Sequence, residues 1–214
     1  MADNMRQTGN INAAIMDYNE ALNTARAAED ISTMGNVYSS LGAIYYAQGN
    51  FHEAINNYEE SRKMRILQGN MLRVAQTENN IANAYYNLAR YDMAIEYYQK
   101  ALPIFEKFKY SPGIASIYNG MAVIYFDQKL YDKSLENHLK KLEISRETGN
   151  LKEVGNTLNN IGNVYEKITY DSLSNIMGPE FEDIIIREKT DKYLMMYSRA
   201  LNYYNQSLQI RKDL

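Results

Sequence analysis

The chain has no cysteine and no tryptophan, and it has only three prolines and two histidines among 214 residues. Without cysteine it can form neither disulfides nor thiolate zinc sites, and it lacks a cysteine nucleophile. Two histidines are too few for a metal cluster or a network of catalytic bases, and no glycine-rich phosphate loop is present. We therefore predict no metal, no cofactor, no catalytic residues and no enzymatic activity.

The chain also lacks a large excess of charge of one sign and a long apolar run. The 23 basic and 26 acidic residues are interspersed and leave a net charge of −3, so nucleic acid is not an expected partner. The longest apolar run, 121–126, is far shorter than the ~20 residues that cross a bilayer, and the N-terminus lacks a signal-peptide pattern. We expect no membrane insertion and a cytoplasmic location, with the periplasm as the alternative if the chain was cut from a membrane-anchored sensor.

A period of forty residues runs through the chain. The segment 39–61, SSLGAIYYAQGNFHEAINNYEES, aligns without gaps on 79–101 and on 119–141, and 159–167 follows at the same spacing. A first block repeats a small residue, at 42, 82, 122 and 162, with a tyrosine three positions later. A second block, from 14, 54, 94, 134 and 200, pairs alanine or serine with tyrosine four residues on, and His138 replaces that tyrosine once.

These blocks predict two antiparallel helices in every repeat. A small residue allows the helices to approach closely, and an aromatic ring one turn away fills the space beside it. Glycine or proline between the blocks marks the helix ends. We predict His138 to be packed in the core like the tyrosines it replaces, and His52 to be exposed at the start of a helix.

The repeat frame sets the expected domain organisation. Residues 1–30 form a partial repeat in which 11–28 is a lone second helix. Full repeats cover 31–70, 71–110 and 111–150, and their predicted helices are 31–48, 51–68, 71–88, 91–108, 112–128 and 131–148. Residues 151–214 form a fourth repeat. Because neither end shows a polar capping repeat, we expect a fragment of a longer protein.

The fourth repeat carries an insertion of 26 residues at about 171–196. Its second block, expected at 174, arrives only at Ala200. Apolar residues within the insertion keep helical spacing, and Gly178-Pro179 at its middle is typical of a helix end followed by a helix start. We predict two lengthened helices that form a projecting hairpin, with a mobile loop as the alternative.

The residues LGAIYYAQGNFHEAINNY (41–58) resemble the tetratricopeptide repeat (TPR) signature. Forty residues per repeat is similar to the long subclass seen in Pins/LGN-type adaptors, kinesin light chains, Rap-type regulators and the TPR regions of bacterial sensor proteins. The resemblance covers essentially the whole chain. It implies an all-α fold, a right-handed superhelical solenoid of antiparallel helix pairs, and it is much less specific for biological role.

The resemblance also implies a concave groove lined by the first helix of each repeat. The side chains it assigns to this groove are Asn36, Tyr46, Gln76, Asn79, Asn83, Tyr86, Asn87, Asn119, Phe126, Asn156, Asn159 and Asn163. Amides can bond to both backbone groups of a peptide, and aromatic rings supply pockets. We predict a peptide- or partner-binding surface; alternatively, the asparagines bond one another between neighbouring first helices. Asn80 and Asn160 fall outside the groove positions. Lys167 is the only basic residue at the groove positions, so a C-terminal carboxylate is not the predicted ligand.

The leading functional hypothesis is a non-catalytic scaffold for protein–protein interaction that binds an extended peptide or partner segment in this groove. The alternative is a sensory or regulatory TPR domain of a bacterial signalling protein, a histidine kinase or a transcription regulator, which transmits a conformational change to an effector domain outside this chain. A protein or peptide is the expected partner in both cases. Uncapped terminal helices would also allow self-association.

Overall fold

A computed structural model describes the backbone of residues 2–176 and 186–213 and the side chains of residues 11–168 and 198–212. All regular structure within these residues is helical. The helices are α1 (Ala2–Ala27), α2 (Ile31–Ala47), α3 (Phe51–Leu67), α4 (Met71–Asn87), α5 (Tyr91–Lys107), α6 (Ser111–Asp127), α7 (Tyr131–Glu147), α8 (Leu151–Ile176) and α9 (Ile186–Asp213). None of these described helices is long and apolar enough to cross a membrane.

The helix ends agree within one residue with those predicted for α2 to α7, and one recurring turn sets them. The residue with positive φ lies at intervals of twenty, at Glu29, Gly49, Gly69, Ala89, Lys109, Lys129 and Gly149. This left-handed conformation terminates a helix and suits glycine, which has no Cβ to clash with the backbone. Two helices of 17 residues, each followed by this three-residue turn, make up the forty-residue repeat.

The chain divides into two compact units, Met1–Gly113 and Ile114–Leu214. In the first, Ala54, Ile55 and Tyr58 of α3 form a core with Ile81 and Ala84 of α4. A second cluster joins α1 to α2 through Leu22, Val37 and Leu41.

The close approach of the two helices that the repeated small residue predicts is found between α2 and α3, and the ring at this contact is Tyr58 of the second helix. A Cβ placed on Gly42 would lie 2.6 Å from the ring of Tyr58, so only a glycine allows this approach without movement. Nearby, the buried hydroxyl of Ser61 donates a hydrogen bond to the backbone oxygen of Gly35 at 2.8 Å.

The second unit repeats these contacts between α8 and α9. Gly162 faces the ring of Tyr204, where a Cβ would again lie 2.6 Å from a ring carbon. Ser207 donates to the backbone oxygen of Gly155 at 2.7 Å. The insertion therefore leaves the packing of the fourth helix pair intact.

The helices α8 and α9 are longer than those of the other pairs, with 26 and 28 residues. The ends of the insertion, 171–176 and 186–196, are helical. Gly178-Pro179 lies outside the described residues, so the projecting hairpin stays a prediction.

The first helix differs from expectation, since α1 begins at Ala2 rather than near residue 11. Residues 2–10 contain no proline, and the single Gly9 in this stretch costs a helix only about 0.5–1 kcal/mol. That cost is too small to end a helix whose later turns pack against α2.

Candidate functional site

In the first unit, the polar face of α4 holds three of the predicted residues. Asn79, Asn83 and Asn87 are four positions apart and therefore share one side of the helix. Asn79 and Asn83 are half-buried and Asn87 is exposed. Gln76, one turn before Asn79, is also half-buried.

The amides of Asn83 and Asn87 are held in different ways. The hydroxyl of Tyr98, on α5, donates to Asn83 Oδ1 at 2.5 Å. Asn87 Nδ2 donates to Tyr46 Oη at 2.9 Å and to the backbone oxygen of Asn83 at 2.8 Å. Both hydrogens of the Asn87 amide are thereby engaged, while Asn83 keeps its own two. One asparagine presents donors and the next, one turn away, presents an acceptor.

Asn36 on α2 is fixed by a buried cation. Arg65 of α3 is only 5% exposed, and its Nη2 donates to Asn36 Oδ1 at 2.6 Å. Burial and the nearby charge of Arg73 lower the pKa of the Arg65 guanidinium. A guanidinium can only donate, so the oxygen of Asn36 must face it and the two amide hydrogens remain for another acceptor.

Aromatic rings accompany these amides. Tyr46 packs edge-on against Phe51 with ring centroids 5.4 Å apart. The ring centroids of Tyr86 and Tyr91 are 6.0 Å apart. All four rings are half-buried, so each offers part of its surface to a ligand.

In the second unit, Lys141 of α7 organises the polar side chains of α6 and α8. Its Nζ donates to Asn119 Oδ1 at 3.1 Å and lies 2.9 Å from Glu153 Oε2. The hydrogen bond from Lys141 holds the pKa of Glu153 below its ordinary value. The Glu153 carboxylate also accepts a long contact of 3.5 Å from Asn156 Nδ2.

Asn163 lies near the middle of α8. The hydroxyl of Tyr204 is 2.9 Å from Asn163 Oδ1 and 2.6 Å from Glu166 Oε2, and its one proton can serve only one of them at a time. Asn163 is exposed and Asn159, one turn earlier, is half-buried. Phe126 of α6 packs against Tyr131 with ring centroids 5.8 Å apart.

The two histidines lie as predicted. His52 is exposed at the start of α3, and His138 is packed, with 3% of its surface exposed. Burial, with the charge of Lys141, lowers the pKa of His138 to about 4. No group of three metal-ligating side chains occurs in the described parts of the chain.

The structure adds residues that the sequence did not assign to the site. Arg65, Tyr98, Lys141 and Tyr204 are on second helices, yet each reaches a first-helix asparagine. Lys167 is the only basic residue at the predicted groove positions, but Arg65 and Lys141 bring basic groups to first-helix asparagines from second helices. Asn160, which the repeat frame excluded, lines a pocket together with Asn163.

The alternative in which asparagines only bond one another does not describe these contacts. Asn36, Asn83, Asn119 and Asn163 each have a second-helix partner. The α2 and α4 residues belong to the first unit, where Asn87 contacts Tyr46. The α6 and α8 residues from Asn119 onward belong to the second unit, where Phe126 and Asn163 line one pocket. The role of all twelve side chains in binding stays a prediction.

A family model described as tetratricopeptide repeat matches residues 1–66, 33–107, 73–125 and 113–169. The chain belongs to the tetratricopeptide repeat family. The all-α class and the TPR fold predicted from the sequence are thus confirmed. Arrays of this fold are generally scaffolds for protein–protein interaction and are typically non-catalytic.

Solved structures share this TPR fold at low identity. BtubC (BKLC) from P. vanneervenii is 23% identical with a TM-score of 0.76, over 99% of this chain and 77% of that one. A Rap protein complexed with competence and sporulation factor is 17% identical with a TM-score of 0.61, over 90% of this chain and 47% of that one.

A signal transduction ATPase with numerous domains from Pyrococcus horikoshii, which has a TPR sensor, is 16% identical with a TM-score of 0.69, over 99% of this chain and 35% of that one. At these identities the likeness concerns the fold alone. No curated protein matches the chain significantly.

Proposed function

We propose that this TPR chain is a non-catalytic scaffold that binds an extended peptide segment of a partner protein along the amide-bearing faces of its first helices. The observation that carries the proposal is the fixed orientation of these amides. Arg65 and Lys141 can only donate, so they hold the oxygens of Asn36 and Asn119 and leave the amide hydrogens for a ligand.

The pattern on α4 suits a peptide backbone in particular. Asn83 offers donors and Asn87 an acceptor, and they lie four residues apart, about 6 Å along the helix. An extended peptide repeats its outward carbonyl and amide groups every two residues, about 6.7 Å. A segment running along α4 can therefore accept a bond from Asn83 and donate one to Asn87, whatever its side chains.

The aromatic rings would add selectivity to this backbone recognition. Tyr46 and Tyr86 lie on the same first helices as Asn36 and Asn83 and are half-buried. A partly exposed ring can stack with an apolar or aromatic side chain of the peptide. With a few hydrogen bonds and one or two such contacts, micromolar affinity is expected after association costs.

The test uses peptides selected from a random display library against the whole chain, with affinities measured by fluorescence polarisation. Asn83→Ala combined with Asn87→Ala removes two hydrogen bonds of about 0.5–1.5 kcal/mol each. We expect binding to weaken by roughly 5- to 150-fold. Replacing a peptide amide by an ester at the contacted position should weaken binding of the unaltered chain as well, because an ester lacks the N–H and its carbonyl is a poorer acceptor.

The matched control changes two asparagines on a second helix, Asn56→Ala with Asn57→Ala. Asn57 donates to the backbone oxygen of Glu53 on its own helix, so this pair should leave binding unchanged. If both double variants keep native helicity and bind the selected peptides as the wild type does, the proposed face is wrong. Equal losses of peptide affinity in the two double variants would also contradict the proposed face.

A regulatory role is the second candidate. Two of the structural neighbours are named as a Rap protein in complex with a factor and as an ATPase with a TPR sensor. In this proposal, peptide binding changes the conformation of the array and thereby the activity of an attached effector domain. In a protein that joins this chain to a histidine kinase or a transcription regulator, the activity of that effector should change when a selected peptide is added. It should not respond when Asn83 and Asn87 are both alanine.

A further inference from the structure

His138 stands where the other repeats have a tyrosine on the second helix. At the same repeat position Tyr58 and Tyr204 press their rings against Gly42 and Gly162. The hydroxyls of Tyr98 and Tyr204 bond or approach the first-helix amides of Asn83 and Asn163. In the third repeat the shorter imidazole cannot extend as far.

The first-helix position opposite His138 also lacks an asparagine. Forty residues after Asn83 stands Val123, which has no group to accept a hydroxyl. His138 lines a pocket of about 120 Å³. Its lining residues come from α6, α7 and α8 of the second unit: Val123, Phe126, His138, Asn160, Asn163 and Val164.

The pocket has the size and chemistry of a site for one aromatic ring. A cavity of about 150 Å³ with apolar walls binds benzene in another protein, so about 120 Å³ with one side open to solvent holds a single ring. Val123, Val164 and Phe126 supply apolar contacts, and Asn160 and Asn163 supply amide groups. The lining contains no carboxylate, lysine or arginine, which disfavours a charged ligand.

The buried imidazole of His138 is also compatible with an uncharged aromatic ligand. His138 is 3% exposed, and its Nδ1 has no hydrogen-bond partner. Its pKa of about 4 keeps it neutral at pH 7, so the wall it forms is uncharged. A neutral ring can pack against it without the cost of facing a buried charge.

We propose that this pocket binds a tyrosine side chain of the partner peptide, in place of the tyrosine that the third repeat lacks. The ring would lie against Phe126 and His138, and the phenol would bond to the amide of Asn160 or Asn163 as Tyr98 bonds to Asn83. This assignment rests on the proposed peptide-binding function and adds the side chain that the peptide must carry.

The test uses p-cresol, which is the side chain of tyrosine without the peptide, and the whole chain. Because His52 and His138 are the only histidines, their imidazole signals in a ¹H–¹³C NMR spectrum are easily resolved and assigned. We expect p-cresol to shift the His138 signals with a millimolar dissociation constant and to leave those of exposed His52 unmoved. Toluene and 4-methylcyclohexanol should bind at least threefold more weakly, because one lacks the hydroxyl and the other the flat ring.

Two variants locate the site. His138→Tyr fills the pocket with the residue found in the other repeats, and saturation transfer to p-cresol should fall at least tenfold. Asn160→Ala keeps the pocket but removes an amide. It should therefore weaken the binding of p-cresol severalfold and leave the binding of toluene unchanged. Circular dichroism checks that both variants stay helical.

The proposal fails if p-cresol at 20 mM, on the order of ten times the expected constant, leaves the His138 signals in place. It also fails if His138→Tyr binds p-cresol as the wild type does, or if toluene binds equally well. The Asn83→Ala, Asn87→Ala chain is altered in the other unit and should bind p-cresol normally. If this variant keeps wild-type affinity for the selected peptides while p-cresol shifts the His138 signals, the peptide face alone is contradicted. If the variant loses peptide affinity but p-cresol leaves the His138 signals of the wild type in place, the tyrosine pocket alone is contradicted.

Discussion

Replacing Lys141 by methionine tests how the second unit holds its polar side chains. Methionine keeps the length of the lysine stem but cannot donate to Asn119 or Glu153. Lys141 is only 7% exposed, so its ammonium has lost nearly all of its water and depends on these two acceptors. We expect Lys141→Met to lower the free energy of unfolding at pH 7.

The size of the loss follows from the exposure of the partners. Removing one member of a fully buried ion pair costs about 3–5 kcal/mol, because the other charge is left without a partner. The side chain of Glu153 is 39% exposed, so water can solvate it after the substitution. The substitution removes a charge-assisted hydrogen bond, which contributes about 1.5–3 kcal/mol. Part of this loss is offset because the variant no longer buries an ammonium group. The expected net loss is about 1–2 kcal/mol.

The pH dependence separates this explanation from a packing defect. Lys141 lowers the pKa of Glu153 from its ordinary 4.5, so the stabilisation is fully present above that pH and disappears as the pH falls through the lower, folded-state pKa. The difference between wild type and Lys141→Met should therefore be constant near pH 7 and shrink below about pH 4.5. A cavity or packing defect would give a difference independent of pH.

The assay is urea unfolding followed by circular dichroism at several pH values, with Lys140→Met as the control. Lys140 makes an exposed pair with Glu136, and such pairs contribute about 0.3–0.5 kcal/mol. If Lys141→Met is as stable as the wild type at pH 7, or if its deficit persists unchanged at pH 3.5, the role assigned to this lysine is wrong.

Two further predictions concern the turns and the helix contacts. Lys129→Gly or Ala89→Gly should raise stability by about 0.5–1 kcal/mol in thermal unfolding, because each native residue has a positive φ that glycine adopts without strain. Gly49→Ala should lower the stability by a similar amount. A decrease in stability on Lys129→Gly would contradict this explanation of the turns. Gly42→Ala should cost about 1–3 kcal/mol, since its Cβ would lie 2.6 Å from the Tyr58 ring. Adding Tyr58→His, which reproduces the third repeat, should restore most of that loss in urea unfolding.

The sequence predicted the parts of this protein that depend on local properties. Helix ends follow from a left-handed residue every twenty positions, and glycine at 49, 69 and 149 marks three of them directly. The close approach of α2 and α3 at Gly42 follows from the small residue that recurs at this position of the repeat. The asparagines of α4 share a face because helical periodicity alone requires it.

The tertiary structure decided which atoms those asparagines present. Position 61 of the first full repeat is a serine that bonds to backbone, whereas the equivalent Lys141 reaches Asn119 on another helix. The orientation of Asn36 likewise depends on Arg65, 29 residues away in sequence. Sequence spacing cannot supply these partners, because they are set by distances of about 3 Å across helix interfaces.

The pocket beside His138 also required the structure. From the sequence, His138 is only a substitution for tyrosine within a packed core. Val123, on a different helix, stands where Asn83 and Asn163 accept from or approach a tyrosine hydroxyl, and Asn160 lines the same pocket from the next repeat. A cavity forms only when three helices place these side chains around one space, and that arrangement is a property of packing rather than of any single repeat.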